Sequence, residues 1–270
     1  MDNEQAEPDR IVARLRAAGC VFAEEEARLL ISSAPAPRDL AVMVDRRVAG
    51  LPLEHVLGWA EFCGLRMAVD PGVFVPRRRT EFLVREAVAL ARPGAVVVDL
   101  CCGSGAVGAA LVAVLDGAEL YAADIDPAAV RCAGRNIAAG RGHAYEGDLY
   151  EPLPTALLGR VDVLVANAPY VPSEEIGLMP SEARLHEPRI ALDGGSDGLD
   201  IQRRVAAEAP SWLAPKGSLL VETSECQVVR TAEIFARSGL IPRVVRSDEF
   251  EATVVIGTRA GPENVDRRPA

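Results

Sequence analysis

The sequence predicts an α/β protein: a doubly wound, Rossmann-like parallel sheet ending in an antiparallel hairpin, preceded by a small helical domain and a β-hairpin linker. Three observations predict this fold. Residues 8–57 show helical periodicity. From Gly94 onward, apolar strand-like runs alternate with helical segments, which is typical of parallel sheets. The last two strand-like runs lie too close together for a helical crossover, so we expect them to pair antiparallel.

The N-terminal region is predicted to contain three short helices. Ile11, Leu15 and Ala18 share one helix face, because they are spaced four and three residues apart. Similar apolar spacing predicts helices over residues 24–33 and 39–49, and proline and glycine residues separate the segments. We therefore expect a small bundle with short connections, too small to be very stable alone.

A β-hairpin is predicted over residues 62–75. Its turn is expected in Val69-Asp70-Pro71-Gly72-Val73, where turn-forming residues stand between apolar ones. Arg77, Arg78 and Arg79 follow, and a helix opens at Thr80-Glu81. We interpret residues 61–80 as a linker between a helical domain, residues 1–60, and a larger second domain.

The second domain is predicted to span residues 81–260. Its continuous apolar run at Ala95–Cys101 is typical of a strand buried on both faces of a parallel sheet. Strands are predicted at residues 95–101, 119–125, 143–147, 161–166, 218–223, 241–247 and 252–258, and helices at 106–115, 127–139, 199–213 and 225–238. Residues 261–270 form a polar tail that we expect to be disordered.

Composition argues against several classes of function. A formal net charge of −10 and 4% aromatic residues disfavour direct nucleic-acid binding. Lys216 is the only lysine, so no phosphate-binding loop of the Walker type can form elsewhere. No C-x-x-C pair occurs and the three histidines lack ligand spacing, so no metal site is predicted. Neither a secretory signal nor a membrane span is recognisable, and we expect a cytoplasmic location with reduced thiols.

A glycine loop joins the first strand of the sheet to the helix that follows it. The loop contains Gly103 and Gly105, and its backbone N–H groups can approach a ligand at the helix N-terminus. Asp124 ends the next strand, where it can accept hydrogen bonds from ribose hydroxyls. Asp99 ends the first strand, where its carboxylate would repel a pyrophosphate and attract an ammonium or sulfonium group.

This loop allows two ligand classes. Gly103-x-Gly105-x-x-Gly108 matches the dinucleotide fingerprint. The same architecture binds S-adenosylmethionine, which carries no phosphate, and Asp99 favours this ligand. The alternative is that the loop binds no ligand and that its glycines only permit a tight strand-to-helix turn.

A second signal follows the strand at residues 161–166, which ends in Asn167-Ala168-Pro169-Tyr170. Ligands lie at the carboxyl ends of parallel strands, so Asn167 should project into the same crevice as the glycine loop. Ala168 precedes a proline and is therefore biased to an extended backbone. The Asn167 side-chain oxygen and the Ala168 carbonyl can together hold an NH₂ group, beside the ring of Tyr170. An ordinary turn with a capping asparagine is the alternative.

This tetrapeptide resembles the Asn-Pro-Pro-Tyr signature of the HemK-like protein-(glutamine-N5) methyltransferases. Further segments resemble the same family in the expected order, at residues 57–65, 75–81, 187–195, 197–200 and 220–222. The resemblance implies a class I S-adenosylmethionine-dependent methyltransferase that modifies the N5 atom of a glutamine. The implied partner is a protein substrate, a release factor or a ribosomal protein. We expect residues 1–60 to recognise it.

The resemblance also implies roles for individual residues. The acceptor site is expected at Asn167, Ala168, Pro169 and Tyr170. The cofactor S-adenosylmethionine is expected to contact Asp99, Cys101, Gly103, Gly105, Asp124, Asp148 and Asn167. Asp148 follows the third strand, near the position that adenine occupies in the family; a loop acid without a role is the alternative.

Three departures from the family pattern are visible. Ala168 replaces the first proline of the signature but keeps the backbone carbonyl, and Cys101 replaces a glycine and crowds the cofactor side. Arg78-Arg79-Thr80 stands where the family tends to carry Pro-Glu-Thr, which suggests a related subgroup with another target. The arginine run is either a contact for an acidic partner or ribosomal RNA, or a solvated run of charges.

Three other functions remain open from the sequence. The glycine pattern alone suggests an NAD-dependent oxidoreductase. A nucleic-acid amino-methyltransferase would use a related motif to hold an exocyclic NH₂ group. A binding module that kept the fold but lost activity is the third, and Ala168 is the reason for considering it.

Overall fold

The computed structural model describes residues 2–137 and 141–261. The helices are α1 (Asp2–Ala17), α2 (Ala23–Ser33), α3 (Pro37–Val48), α4 (Leu53–Leu57), α5 (Glu81–Leu90), α6 (Ala106–Val114), α7 (Pro127–Asn136), α8 (Ser181–His186), α9 (Asp200–Trp212) and α10 (Val228–Arg237). The strands are β1 (Trp59–Phe62), β2 (Leu65–Ala68), β3 (Val96–Leu100), β4 (Glu119–Asp124), β5 (Gly142–Glu146), β6 (Val161–Ala166), β7 (Leu213–Thr223), β8 (Leu240–Ser247) and β9 (Ala252–Arg259).

The N-terminal helices enclose a small apolar core of their own. Ile11 and Leu15 on α1 meet Ala27 and Leu30 on α2 and Val44 on α3, and all five are buried. The three predicted helices are confirmed. The short helix α4 is an addition that the apolar spacing does not reveal.

One buried arginine connects this bundle to the rest of the protein. The guanidinium of Arg47, which is 7% exposed, donates to Glu26 on α2 at 2.6 Å and to Glu182 on α8 at 2.6 Å. A buried arginine needs such partners, because an unpaired charge in the interior is strongly destabilising. Its ion pairs therefore hold the helical bundle against the segment around α8.

The seven-stranded sheet has the order β5-β4-β3-β6-β7-β9-β8. Strands β3 to β7 pair in parallel, whereas β9 is antiparallel to both β7 and β8. The predicted parallel sheet and the antiparallel C-terminal pair are confirmed. Two apolar cores flank the sheet, one under α5, α6 and α7 and the other under α9 and α10, so all five residues of β3 are buried.

The predicted position of the linker hairpin is wrong. Its strands are β1 and β2, and its two-residue loop is Cys63-Gly64, not the segment around Pro71. Both loop residues have positive φ, 51° and 71°, as a type I′ hairpin turn requires. The Asp70-Pro71-Gly72-Val73 segment is a separate turn, in which the Val73 N–H donates to the Asp70 carbonyl at 3.0 Å.

Other boundaries differ from the predictions by a few residues. Strand β7 begins five residues early, at Leu213, and α10 begins three residues late, at Val228. The described part of the helix predicted at residues 127–139 ends at Asn136; residues 138–140 lie outside the described residues. The predicted disordered tail, apart from Gly261, also lies outside them. Within residues 2–137 and 141–261, no helix is long and apolar enough to cross a membrane.

The strand order places the candidate site. The connection from β3 leads to β4 on one side, whereas β6 is added on its other side, so the strand order reverses between β3 and β6. Such a reversal opens a crevice at the carboxyl ends of the strands. Asp99, Asp124 and Asn167 lie at the ends of β3, β4 and β6 and therefore gather at this crevice.

Candidate active site

The loop between β3 and α6 turns through three residues with positive φ: 54° at Cys101, 54° at Gly103 and 75° at Gly105. This backbone conformation suits glycine, so Cys101 is strained there. Cys101 and Gly103 line a cavity in the crevice. Gly105, which we expected to contact the cofactor, is not among the described residues that line this cavity. A Cβ atom on Gly105 would lie 2.8 Å from the Cβ of Ala133 on α7, so this glycine permits helix packing.

Asp99 lines the cavity and is almost completely buried. It is 1% exposed, and its Oδ2 accepts a hydrogen bond from the Gly108 N–H at 2.8 Å. Burial raises the pKa of Asp99 to about 7, although the Gly108 N–H opposes this shift. A positive group bound nearby would favour the ionised form of Asp99.

Asp124 connects the ends of β3 and β4. Its Oδ2 accepts from the Gly103 N–H at 2.8 Å and its Oδ1 from the Asp126 N–H at 2.9 Å. Burial raises the pKa of Asp124, and these N–H groups oppose the rise. Each carboxylate oxygen can accept a further hydrogen bond, so Asp124 can still bind two hydroxyls.

Asp148 also lines this cavity. Its Oδ2 accepts from the Arg204 guanidinium at 2.7 Å, and both side chains line the cavity. Among the described residues that line it, Arg204 is the only basic one, whereas Asp99, Asp124 and Asp126 add negative charge. A pyrophosphate would be repelled here. The lining carboxylates can instead accept hydrogen bonds from hydroxyl groups and attract a positively charged group.

The acceptor tetrapeptide, Asn167 to Tyr170, directly follows the carboxyl end of β6. The Asn167 Nδ2 donates to the hydroxyl of Thr80 at 3.3 Å. Ala168 is 1% exposed, and no group among the described residues donates to its carbonyl oxygen. The Tyr170 hydroxyl donates to Glu222 at 3.2 Å, so it is bound within the protein and its ring contributes the surface.

Two cavities meet at this tetrapeptide. The first holds the carboxylates described above and has an empty volume of about 1100 Å³, its mouth included. The second is lined by Ala168 and Tyr170 and opens between the helical bundle and the segment around α8. Asn167 and Pro169 line both cavities. The two cavities are therefore adjacent, with Asn167 and Pro169 in the lining of each.

Two buried glutamates hold this region together. Glu187, whose side chain is 1% exposed, accepts from Arg77 at 2.6 Å and from the Val75 N–H at 3.1 Å. Glu222, whose side chain is 3% exposed, forms an ion pair with Arg79, with 3.2 Å between the Arg79 Nε and the Glu222 Oε1. Two of the three consecutive arginines are thus paired with buried carboxylates. In the sequence, the only indication of a role for Glu187 and Glu222 is that both lie in segments that resemble the methyltransferase family.

Known proteins are similar to this chain in fold and in sequence. The family model described as a methyltransferase small domain matches residues 64–193. A methyltransferase from Pyrococcus furiosus has a TM-score of 0.56 at 16% identity, over 73% of this chain and 90% of that one. A release factor glutamine methyltransferase of Geobacter sulfurreducens is 38% identical over 83% of this chain and 80% of its own length. A 4-amino-L-phenylalanine/4-methylamino-L-phenylalanine methyltransferase of Streptomyces pristinaespiralis is 36% identical over 76% and 72%.

The fold and the site define a Rossmann-like methyltransferase, for which family and fold imply S-adenosylmethionine as the methyl donor. An identity of 38% over four fifths of a relative's length indicates common membership of a family and not only a shared fold. The chain belongs to the release factor glutamine methyltransferase family. The alternative of an NAD-dependent oxidoreductase is therefore wrong.

Proposed function

We propose that the protein transfers a methyl group from S-adenosylmethionine to the side-chain amide nitrogen of a glutamine in a peptide chain release factor, in the cytoplasm. The observation that carries this proposal is that Asn167 and Pro169 line both cavities. The names of the relatives support the substrate.

The chemistry needs positioning more than proton transfer. A glutamine amide is a poor nucleophile, because its nitrogen lone pair is delocalised into the carbonyl. S-adenosylmethionine supplies a methyl group made electrophilic by the positive sulfur. The proton of the amide can leave after the transfer, when the nitrogen is cationic and acidic, so no strong base is required.

The acceptor site supplies two oxygens for the two N–H bonds of the substrate amide. The side-chain oxygen of Asn167 is left free when its nitrogen bonds Thr80, and the Ala168 carbonyl has no donor among the described residues. Holding both N–H bonds orients the nitrogen and favours its pyramidal form. This is catalysis by orientation and electrostatics.

The helical bundle is the part of the chain that we assign to recognition of the protein substrate. The described residues that line the cofactor cavity begin at Phe74, which excludes the bundle from that cavity. The acceptor cavity is lined by Pro52 and Glu54 as well as by Arg79. A substrate segment entering this cavity would therefore contact the bundle.

The test is single-turnover methyl transfer to a purified release factor at saturating cofactor, with the methylated residue located by mass spectrometry. Asn167→Ala should slow transfer by about 10²–10³-fold and leave cofactor affinity nearly intact. The matched variant Ala168→Pro keeps the carbonyl and should remain active. Full activity in Asn167→Ala would show that the amide is held elsewhere. If the enzyme methylated a free amino acid but no release factor, the proposed substrate would be wrong.

A further inference from the structure

Two distant parts of the chain contribute walls to the acceptor cavity. Pro52 and Glu54, at the start of α4, form one wall, which we call the bundle wall. Pro180 and Glu182 belong to the segment around α8 and form the other, which we call the α8 wall. The width of the cavity therefore depends on what holds these two walls together.

Arg47 on α3 joins the two walls, although it is not among the described residues that line the cavity. Its Nη1 donates to the carbonyl of Leu51, which directly precedes Pro52, at 2.9 Å. The same nitrogen donates to the Oε1 of Glu182 at 2.6 Å. Because Nη1 carries two N–H bonds, one atom can serve both walls. We call Arg47, Leu51 and Glu182 the Arg47 bridge.

The guanidinium of Arg47 is itself fixed from within the bundle. Its Nε and Nη2 donate to the two carboxylate oxygens of Glu26 on α2, at 2.6 Å and 3.0 Å. Both side chains are buried, with 7% of Arg47 and 11% of Glu26 exposed. A planar guanidinium that binds a carboxylate through two nitrogens has little freedom to turn. The position of Nη1 is therefore set by α2 and α3, and the α8 wall is held where Glu182 reaches it.

No second hydrogen bond joins the walls. Within residues 2–137 and 141–261, the bond from Arg47 to Glu182 is the only one between residues 2–57 and residues 172–195. Its loss would leave the Arg47–Glu26 pair in place inside the bundle. The two walls would then lack any direct polar connection in the described part of the chain, although each would keep its own fold.

We propose that Arg47 is a positioning residue for the protein substrate: through Leu51 and Glu182 it holds the two walls of the acceptor cavity at the separation that the substrate segment requires. This inference rests on the proposed function, because it assigns the cavity to a protein segment. Without the bridge, only a fraction of the molecules would have a cavity of the right width, and the apparent affinity for substrate falls by that fraction.

The kinetic test removes the bridge at its exposed end. Glu182→Ala should raise KM for the release factor about tenfold, the effect of a charge-assisted hydrogen bond to a side chain that is 45% exposed. Glu182→Gln keeps an acceptor oxygen and should restore part of the affinity. The kcat and the dissociation constant of S-adenosylmethionine should stay close to those of the wild type, since the bridge residues do not line the cofactor cavity. Glu233→Ala, which removes a surface ion pair with Arg237 on α10, is the control and should leave KM unchanged.

A double substitution separates the bridge from direct contact between Glu182 and the substrate. Glu26→Leu combined with Arg47→Met replaces the buried pair with apolar side chains, which proteins tolerate better than one unpaired charge. This variant should raise KM as much as Glu182→Ala does. Adding Glu182→Ala to it should then have no further effect. A further tenfold rise would show that Glu182 binds the substrate itself and would overturn the proposal.

A second measurement needs no substrate. Amide hydrogen exchange, followed by mass spectrometry, reports local opening of each wall separately. In Glu182→Ala, exchange should become about tenfold faster over residues 49–57 and 176–187 and stay unchanged over residues 81–100. Glu233→Ala should change neither wall.

The two measurements separate the bridge from the proposed function. Faster exchange of both walls in Glu182→Ala, with no methylation of any release factor by the wild type, would support the bridge and refute the proposed function. Unchanged exchange in Glu182→Ala would overturn the bridge, whatever the activity of the wild type. An unchanged KM in Glu182→Ala, with a wild type that methylates a release factor, would overturn the role in substrate binding.

Discussion

Replacing Asp99 with asparagine should stabilise the folded protein at neutral and alkaline pH. Burial raises the pKa of this carboxyl to about 7 in the folded state, against an ordinary value of 3.8. Between these two values the folded protein keeps a proton that the unfolded chain releases. The wild type therefore loses stability as the pH rises through this range. Asparagine does not ionise, and its side-chain oxygen can still accept from the Gly108 N–H.

The size of the effect follows from the two pKa values. They differ by about three pKa units, and each unit corresponds to about 1.4 kcal/mol, so the full effect of Asp99 is about 4 kcal/mol. Between about pH 5 and about pH 8.5 the wild type should lose about 3 kcal/mol of unfolding free energy through this group. Asp99→Asn should lack that part of the pH dependence.

Urea unfolding at the two pH values measures this difference directly. Asp45→Asn is the control, since the Asp45 side chain is 66% exposed and should leave the pH profile unchanged. Cofactor binding gives a second readout: in the wild type, affinity should increase as the pH rises through about 7, because the ionised carboxylate attracts the cationic ligand. An Asp99→Asn variant with the same pH dependence as the wild type, in both stability and affinity, would refute this reasoning.

Two further changes test the cofactor cavity. Asp124→Ala should weaken S-adenosylmethionine binding by about 1.5–3 kcal/mol, because hydrogen bonds to a charged group are lost; calorimetry showing unchanged affinity would contradict the assignment. Cys101→Gly should raise the unfolding free energy by about 1 kcal/mol, because φ is 54° at this position and a side chain is strained there. Cys101→Ala keeps the strain and should not be stabilised; equal stability of the two variants would argue against strain.

The element order and the acceptor motif could be predicted from the sequence. Strand β6 has the predicted bounds, Val161–Ala166, because a run of buried apolar residues is a local signal. The tetrapeptide after it is contiguous in the chain, so its two acceptor oxygens could be inferred from adjacent residues. The parallel sheet then followed from the alternation of strands and helices, which has few alternative topologies.

The hairpin shows where local signals were insufficient. The sequence contains two turn candidates, and Asp70-Pro71-Gly72 has the stronger turn chemistry. The hairpin forms instead at Cys63-Gly64, where the Cys63 N–H donates to Glu81 at 2.9 Å. Asn136 on α7 exchanges hydrogen bonds with the backbone of Ala68 in β2. These partners are distant in sequence, so only the folded chain reveals them.

The same reason separates the acceptor motif from the distant residues that form hydrogen bonds with it. Asn167 and Tyr170 could be identified from the sequence by their motif, because the residues that define it are neighbours. Thr80 lies 87 residues from Asn167, and Glu222 lies 52 residues from Tyr170. No periodicity or spacing in one sequence encodes such pairs, since they depend on which strand ends meet at one edge of the sheet. The sequence therefore determined the chemistry of the site, and the tertiary structure decided which buried groups hold it in place.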